Sequence, residues 1–311
     1  MNLHYLKNKK TITKPESLKC DIFISAFNDN ERVQNTFNKI KAEKKYWVVL
    51  AEYDYQKHEL PTSGETLTFT SRNEGEVISD LINLISQDAL KNKICCIDIT
   101  GFLRPCILSF AQMLKSYNIP KAYFLYTEPE QYGKKENTIF TRDVSYVRQV
   151  VGYEGIHTDD VAHDYLILGM GYDDELISRV AGDKDAATVV QLLSLPSLSA
   201  DMYQESVLRL DKSSIPTDAH LDRHVFFAPA NDPFVVASEL SAKYKELLAV
   251  GNINNLYLSP LATKPQTLGF ALFYLRELQS KAASIIFPFS KSYYRETSKG
   301  FGKTWLYEVD M

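Results

Sequence analysis

The stretch ICCIDITGFLRPCILSFAQMLKSY, residues 94–117, decides the fold, because it recurs in outline as NLYLSPLATKPQTLGFALFYLREL, residues 255–278. Setting Arg104-Pro105 on Lys264-Pro265 aligns a preceding apolar run, a polar loop, a following amphipathic stretch and the next apolar run. Each unit reads as a strand that stops in a turn carrying Thr and one cation, then a helix with Pro in its first turn. Proline suits that place, since its missing N–H would have no intrahelical partner and its fixed φ is already helical. A cation beside unbonded backbone N–H groups at a helix start suits an anionic ligand such as a phosphate. Leu103, Cys106, Ile107, Phe110, Met113 and Leu114 recur at helical spacing and predict a helix over 103–117.

Outward from this pair, short apolar runs alternate with amphipathic stretches along nearly the whole chain. Strands are predicted at 21–26, 46–51, 94–99, 122–126, 146–151, 165–169, 188–193, 224–228, 255–259 and 283–287, with a last one at 303–309. Helices are predicted at 30–44, 75–90, 103–117, 173–182, 201–211, 233–249 and 265–279. Such a succession means βαβ units and an α/β fold with mainly parallel sheets covered on both faces; the near-continuous apolar runs YLILG (165–169) and ASIIF (283–287) agree.

A second internal match points to duplication. DIFISAFNDNERV (21–33) and DYLILGMGYDDELI (164–177) share a strand, a short turn and an acidic helix opening, with Asp29 on Asp173 and Glu31 on Glu175. VFFAPANDPFVVASEL (225–240) repeats the form with Asp232 near the helix start. Each of these acids alone reads as an ordinary N-cap. It is the order of the units that predicts two related halves, 15–150 and 160–311. The polar stretch 127–163 lies between them as a loop over the active face or a linker, and 54–73 is a similar excursion in the first half.

A chain of 311 residues holds one large or two moderate domains, and its 45% apolar and 24% charged shares are those of an ordinary globular protein. The net charge of −4 argues against broad, non-specific binding to nucleic acid or an anionic membrane, while leaving room for a local basic pocket. Cys20, Cys95, Cys96 and Cys106 show neither metal-ligand spacing nor a disulfide framework. The opening MNLHYLKNKK lacks an apolar targeting core, and no run approaches a membrane span, so a cytoplasmic location is expected.

In an open parallel α/β sheet, ligands bind beyond the carboxyl ends of the strands, near the switch in strand order. The loops there carry Asn28-Asp29, Thr100 to Arg104, Tyr126 to Pro129, Gly169 to Asp173, Pro229 to Asp232 and Ser259 to Lys264. If both halves turn this edge to one cleft, its cations and helix starts suit phosphates and its Tyr rings suit bases. A P-loop signature is absent, and Gly169-Met170-Gly171 lacks the third glycine of the dinucleotide fingerprint, so no cofactor is expected. No nucleophile elbow occurs. The groups His157, Asp159, Asp160, His163, Asp164 and His220, Asp222, His224 precede strands, at the wrong edge for this site, and read as solvated loops rather than metal centres. Glu128 follows a strand at the productive edge, where a carboxylate could reach a ribose hydroxyl or act as a base, or simply close the turn before Pro129. Asp98 ends the strand before this loop, where a carboxylate could accept from loop N–H groups and hold the turn, or pair with Arg104; a structural role is expected.

The loops DITGFLRP (98–105) and SPLATKPQTLGFAL (259–272) resemble the strand, Thr-Gly turn, Lys and helix signature of CARF domains, the Rossmann-like sensors of cyclic oligoadenylates. Two such halves in one chain resemble the SAVED arrangement, which senses cyclic oligonucleotides in bacterial antiviral defence. Carried over, the resemblance matches Thr100, Gly101 and Arg104 to the first signature loop and Thr263 and Lys264 to the second. It matches the turn Ser25 to Asn28 to the family's other ligand-facing loop. The chain departs from the pattern with Phe-Leu-Arg at 102–104 and with Ala262 in place of Gly.

The resulting expectation is a nucleotide-binding sensor or regulatory subunit of two Rossmann-like halves that passes its signal to a separate effector protein. Its ligand set would be Ser25, Asn28, Thr100, Gly101, Arg104, Tyr126, Gly169, Asn231, Thr263 and Lys264, with no metal. An enzyme acting on a nucleotide or phosphorylated small molecule, with Glu128 or Asp29 as acid/base, is the second reading. A non-catalytic scaffold of a larger protein or nucleoprotein complex is the third. The oligomeric state is open.

Overall fold

A computed structural model describes residues 9–12, 15–132, 141–171, 173–198, 224–295 and 298–311. By internal contacts the chain divides into Lys7–Asp143 with Ser290–Met311, called the first unit, and Val144–Phe289, called the second.

The first unit runs through β1 (Lys9–Ile12), β2 (Lys19–Ala26), α1 (Glu31–Lys39), β3 (Lys41–Val49), β4 (Glu65–Thr68), α2 (Glu74–Ile85), α3 (Gln87–Asn92), β5 (Cys95–Asp98), α4 (Arg104–Ser116), β6 (Lys121–Thr127) and β7 (Gln131–Tyr132). Strands β2 to β6 are mutually parallel in the spatial order β4-β3-β2-β5-β6. Counted in chain order this is 3-2-1-4-5, the doubly wound arrangement, with its switch between β2 and β5. Those two central strands are the most apolar because helices cover both faces: Ile22 to Ala26 and Cys95 to Asp98 are all buried. One face packs Phe23, Phe37 and Trp47 under α1, the last two rings stacked at 3.6 Å.

The second unit takes in β8 (Thr141–Gln149) from Val144 on, β9 (Tyr165–Gly169), α5 (Asp174–Asp183), β10 (Thr188–Ser194), β11 (Val225–Ala228), α6 (Pro233–Val250), β12 (Leu256–Pro260), α7 (Lys264–Glu277) and β13 (Ala283–Tyr293) as far as Phe289, the rest of β13 belonging to the first unit. Strands β9 to β13 are again mutually parallel, in the order β11-β10-β9-β12-β13, with β8 beside β13. The order is 3-2-1-4-5 once more, with its switch between β9 and β12. The repeated stretches thus occupy equivalent places: β5–α4 and β12–α7 are fourth in their sheets, and β2–α1 and β9–α5 are first.

The chain ends with β14 (Ser298–Lys299), antiparallel to β7, and β15 (Thr304–Asp310), antiparallel to both β6 and β1. The halves expected from the sequence put 290–311 in the second unit. Contacts put Ser290–Met311 in the first, because β15 pairs with β6 along its whole length.

The α/β architecture matches the sequence expectation, with local differences. The helix expected over 30–44 stops at Lys39, because Lys41 to Tyr46 pair with β2 and β4; sheet pairing overrides the helical preference of a Lys- and Glu-rich run. The helix expected over 75–90 divides at Ser86, whose φ of 82° no helix sustains. The excursion 54–73 contains β4, an edge strand whose single aliphatic residue, Leu67, left little pattern to read. The helix expected at 201–211, and His220 and Asp222, lie outside the described residues. No described helix is long and apolar enough to cross a membrane.

Tyr307 in β15 is fully buried. Tyr307→Ala should lower the stability of the first unit by about 3 kcal/mol or more, which a urea melt would register. A loss near zero would mean that β15 is dispensable.

Candidate functional site

At the first switch point two backbones come unusually close. A Cβ on Gly101 would lie 2.0 Å from the Ala26 carbonyl oxygen, so only glycine lets the loop after β5 touch the end of β2. The Tyr53 hydroxyl, from the turn after β3, donates to the Gly101 carbonyl at 3.0 Å. Below them, the Asp98 carboxylate binds both loops: Oδ2 accepts from the Ser25 hydroxyl at 2.9 Å and Oδ1 from the Thr100 N–H at 3.0 Å. The Thr100 hydroxyl accepts the Thr127 N–H at 2.9 Å, which ties in β6. Ser25, Asp98 and Thr100 are buried. Their polar groups hold the loops, and register explains why, since Ser25 and Asp98 are direct partners in the β2–β5 ladder.

Around this layer, at the carboxyl ends of the first unit's parallel strands, lie Arg104, Asn28 and Asp29. Arg104 is the first residue of α4, half-buried, with Pro105 behind it in the first turn. Its charge reaches the Tyr53 and Tyr293 phenols, whose pKa values burial pushes well up and Arg104 pulls back. Asn28 turns its Oδ1 onto the Asn30 N–H at 3.0 Å. Asp29 is exposed, beside Tyr55.

Arg295 holds the neighbouring loop. It donates through Nε to the Tyr53 carbonyl at 2.7 Å and through Nη1 to Glu59 Oε1 at 2.8 Å, through Nη2 to the Asp54 carbonyl, and it lies 4.1 Å from the Tyr55 ring centre. Its hydrogen bond holds the Glu59 carboxyl below the usual range. Glu52, one residue before Tyr53, has Oε2 shielded and without a hydrogen bond. Burial raises its pKa, with Arg72 opposing and Glu74 adding to the rise.

The second switch point repeats the close approach with the roles exchanged. A Cβ on Gly171, after β9, would lie 2.2 Å from the Leu261 carbonyl oxygen, after β12. Gly169 ends β9 against the Phe270 ring. Thr263 caps α7 in a reciprocal box with Gln266, and its hydroxyl also donates to the Ala230 carbonyl. Gln266 is fully buried; it accepts from Ser194 at 3.2 Å and donates to the Ala228 carbonyl at 3.3 Å, joining the loops after β10, β11 and β12. Lys264 is the first residue of α7 and half-buried, in the position Arg104 holds on α4. Asn231 is half-buried in the turn before α6, next to Asp232, the N-cap.

The structure therefore gathers Asn28, Gly101 and Arg104 at one switch point, with Asp29 at its rim, and Gly169, Thr263, Lys264 and Asn231 around the other. Ser25 and Thr100 lie underneath, in the Asp98 network. Tyr126 is buried beneath the Arg32 guanidinium. Glu128 turns away to the terminal segment, where its Oε1 accepts from Trp305 Nε1 at 2.7 Å. His157 sits between Asn255 Oδ1 and the Ser284 hydroxyl, at 3.2 and 3.0 Å, with its pKa lowered by burial. Among the described residues no group of three His, Cys, Asp or Glu side chains is placed to hold a metal ion. No protein-family model matches the chain, and no curated protein matches it.

Sequence reading missed Glu52, Tyr53, Tyr293, Gln266 and Arg32 as site residues. Arg32 had a signal, as a charge on the face of α1 that buries Val33, Thr36 and Phe37. Tyr53 and Tyr293 had none, because they are brought together from opposite ends of the chain.

Two outcomes check this geometry. Gly101→Ala should cost about 3 kcal/mol in a urea melt, whereas Gly182→Ala, with open space around its Cβ, should be near neutral. The folded state favours the neutral form of Glu52, so ionisation destabilises it above its unfolded pKa. The melting temperature of Glu52→Gln should therefore gain on the parent as the pH rises from about 4 to about 8. A difference that does not change with pH would place Glu52 in water.

Proposed function

We propose that this protein is a nucleotide-binding sensor or regulatory subunit without chemistry of its own, recognising a cyclic or linear oligonucleotide and signalling to a separate effector protein. The observation that carries the reading is the equivalent placing of Arg104 and Lys264. Each is the first residue of the helix after the fourth parallel strand, followed by Pro, at the switch point of its sheet. A cation and a helix start there form an anion-binding arrangement, at the place where parallel α/β sheets receive ligands.

The shared strand order supports the sequence-level reading of duplicated halves. With the resemblance of the two loops to the CARF signature, it supports a SAVED-like sensor of bacterial antiviral defence. A catalytic role for Glu128 has less support, since one oxygen of its carboxylate is already bonded to Trp305.

A thermal-shift screen over mono-, di- and cyclic oligonucleotides tests this. A ligand at a hundred times its Kd should add about 2.7 kcal/mol, and Arg104→Ala or Lys264→Ala should remove the shift while leaving the unliganded melt in place. If no nucleotide raises the melting temperature, the sensor reading is wrong. Consumption of the bound nucleotide, followed by chromatography, would replace it with the enzyme reading.

A further inference from the structure

Arg32 is a buried cation that no carboxylate among the described residues pairs with. It sits in the first turn of α1 and is 6% exposed. Arginine is rarely buried unless paired, because an uncompensated charge away from water is costly. Its surroundings soften this cost without cancelling it. Nη1 donates to the Thr127 carbonyl at 2.7 Å, and the guanidinium carbon lies over the Tyr126 ring, 5.9 Å from its centre, a long cation–π contact. Nε is shielded and has no acceptor. The guanidinium therefore spends one corner on the backbone and leaves its Nε–Nη2 edge without a hydrogen bond to any described residue. That edge presents two parallel N–H groups, the fork that matches a phosphate or carboxylate side-on.

Position adds a second observation. Thr127 is the last residue of the parallel strand β6, and α1 meets it twice, through the Arg32 guanidinium and, one turn on, through the Thr36 hydroxyl at 3.1 Å, so the guanidinium lies at the carboxyl end of β6. The unbonded edge thus lies at the ligand-receiving end of the parallel strands, with the start of α1 beside it. Asn30, the residue before α1, does not cap the helix with its side chain. Its Nδ2 donates to the Arg295 carbonyl and its Oδ1 accepts from the Ser298 hydroxyl, both at 3.0 Å.

We propose that Arg32 is a phosphate-binding residue of the first unit, whose Nε–Nη2 edge takes two oxygens of a phosphate group beside the start of α1. Because Nε is shielded, the anion enters by a local opening of the residues over it. The inference stands on this geometry and not on the sensor reading.

Inorganic pyrophosphate, at ionic strength matched with sodium chloride, is the probe. The measurement is the Arg Nε–H region of a ¹H–¹⁵N spectrum of the full chain, with the Arg32 signal identified by its loss in Arg32→Lys. On titration that signal should move with saturation, and it should still do so in Arg104→Ala. Arg32→Met should melt no lower than the parent without ligand and bind pyrophosphate at least tenfold more weakly. An Arg32 signal that stays in place, or unchanged pyrophosphate affinity in Arg32→Met, overturns the proposal. A nucleotide screen without response, together with a pyrophosphate-shifted Arg32 signal, would sink the sensor reading and keep this site. The reverse pattern would do the opposite.

Discussion

Contact between the first and fourth loops of each sheet is the constraint on which the candidate sites depend. At both switch points a glycine meets a carbonyl oxygen from the other loop, Gly101 against Ala26 and Gly171 against Leu261, at distances no side chain could tolerate. The glycine comes from the fourth-strand loop in one unit and from the first-strand loop in the other. What the two units share is the closeness, not the residue that allows it. That closeness brings the helix starts carrying Arg104 and Lys264 up to the central strands instead of leaving them splayed outward.

Beneath each contact lies a buried polar residue that ties several loops together. In the first unit it is Asp98, joining Ser25 and the Thr100 N–H; in the second it is Gln266, joining Ser194 and the Ala228 carbonyl. A carboxylate and an amide do comparable work because each finds partners among hydroxyl and backbone groups of its own and neighbouring loops. Buried groups of this kind stabilise one loop arrangement only when satisfied, and a missing partner would cost more than the bond itself contributes.

Much of the architecture was legible because the strongest signals were local. The near-continuous apolar runs of β2, β5, β9 and β12 announce central parallel strands, and Arg104-Pro105 and Lys264-Pro265 mark helix starts to within one residue of those expected. Weak signals failed where packing outweighed pattern. KAEK (41–44) looked helical but lies in β3, held by its ladder with β2, and β4 carries too little apolar surface to be read. The site was less legible than the fold. Tyr53, Tyr293 and Arg295 meet only because the tail returns to the first unit, a pairing with no local trace. Arg32 was visible as a misplaced charge, but only burial made the charge meaningful.

The position of β15 has a consequence for how the protein is made. Its pairing with β6 and β1 completes a sheet whose other strands are synthesised long before it, with all of Val144–Phe289 emerging in between. Domains commonly fold in the order in which the ribosome delivers them. This chain reverses that order: the second unit has all its strands in hand while the first still shows an unpaired β6 edge to solvent or to a chaperone. An open edge of this kind is the hazard that natural sheets usually cover. Here the cover arrives only after Val144–Phe289, so the interval before β15 emerges is the period of greatest exposure to aggregation.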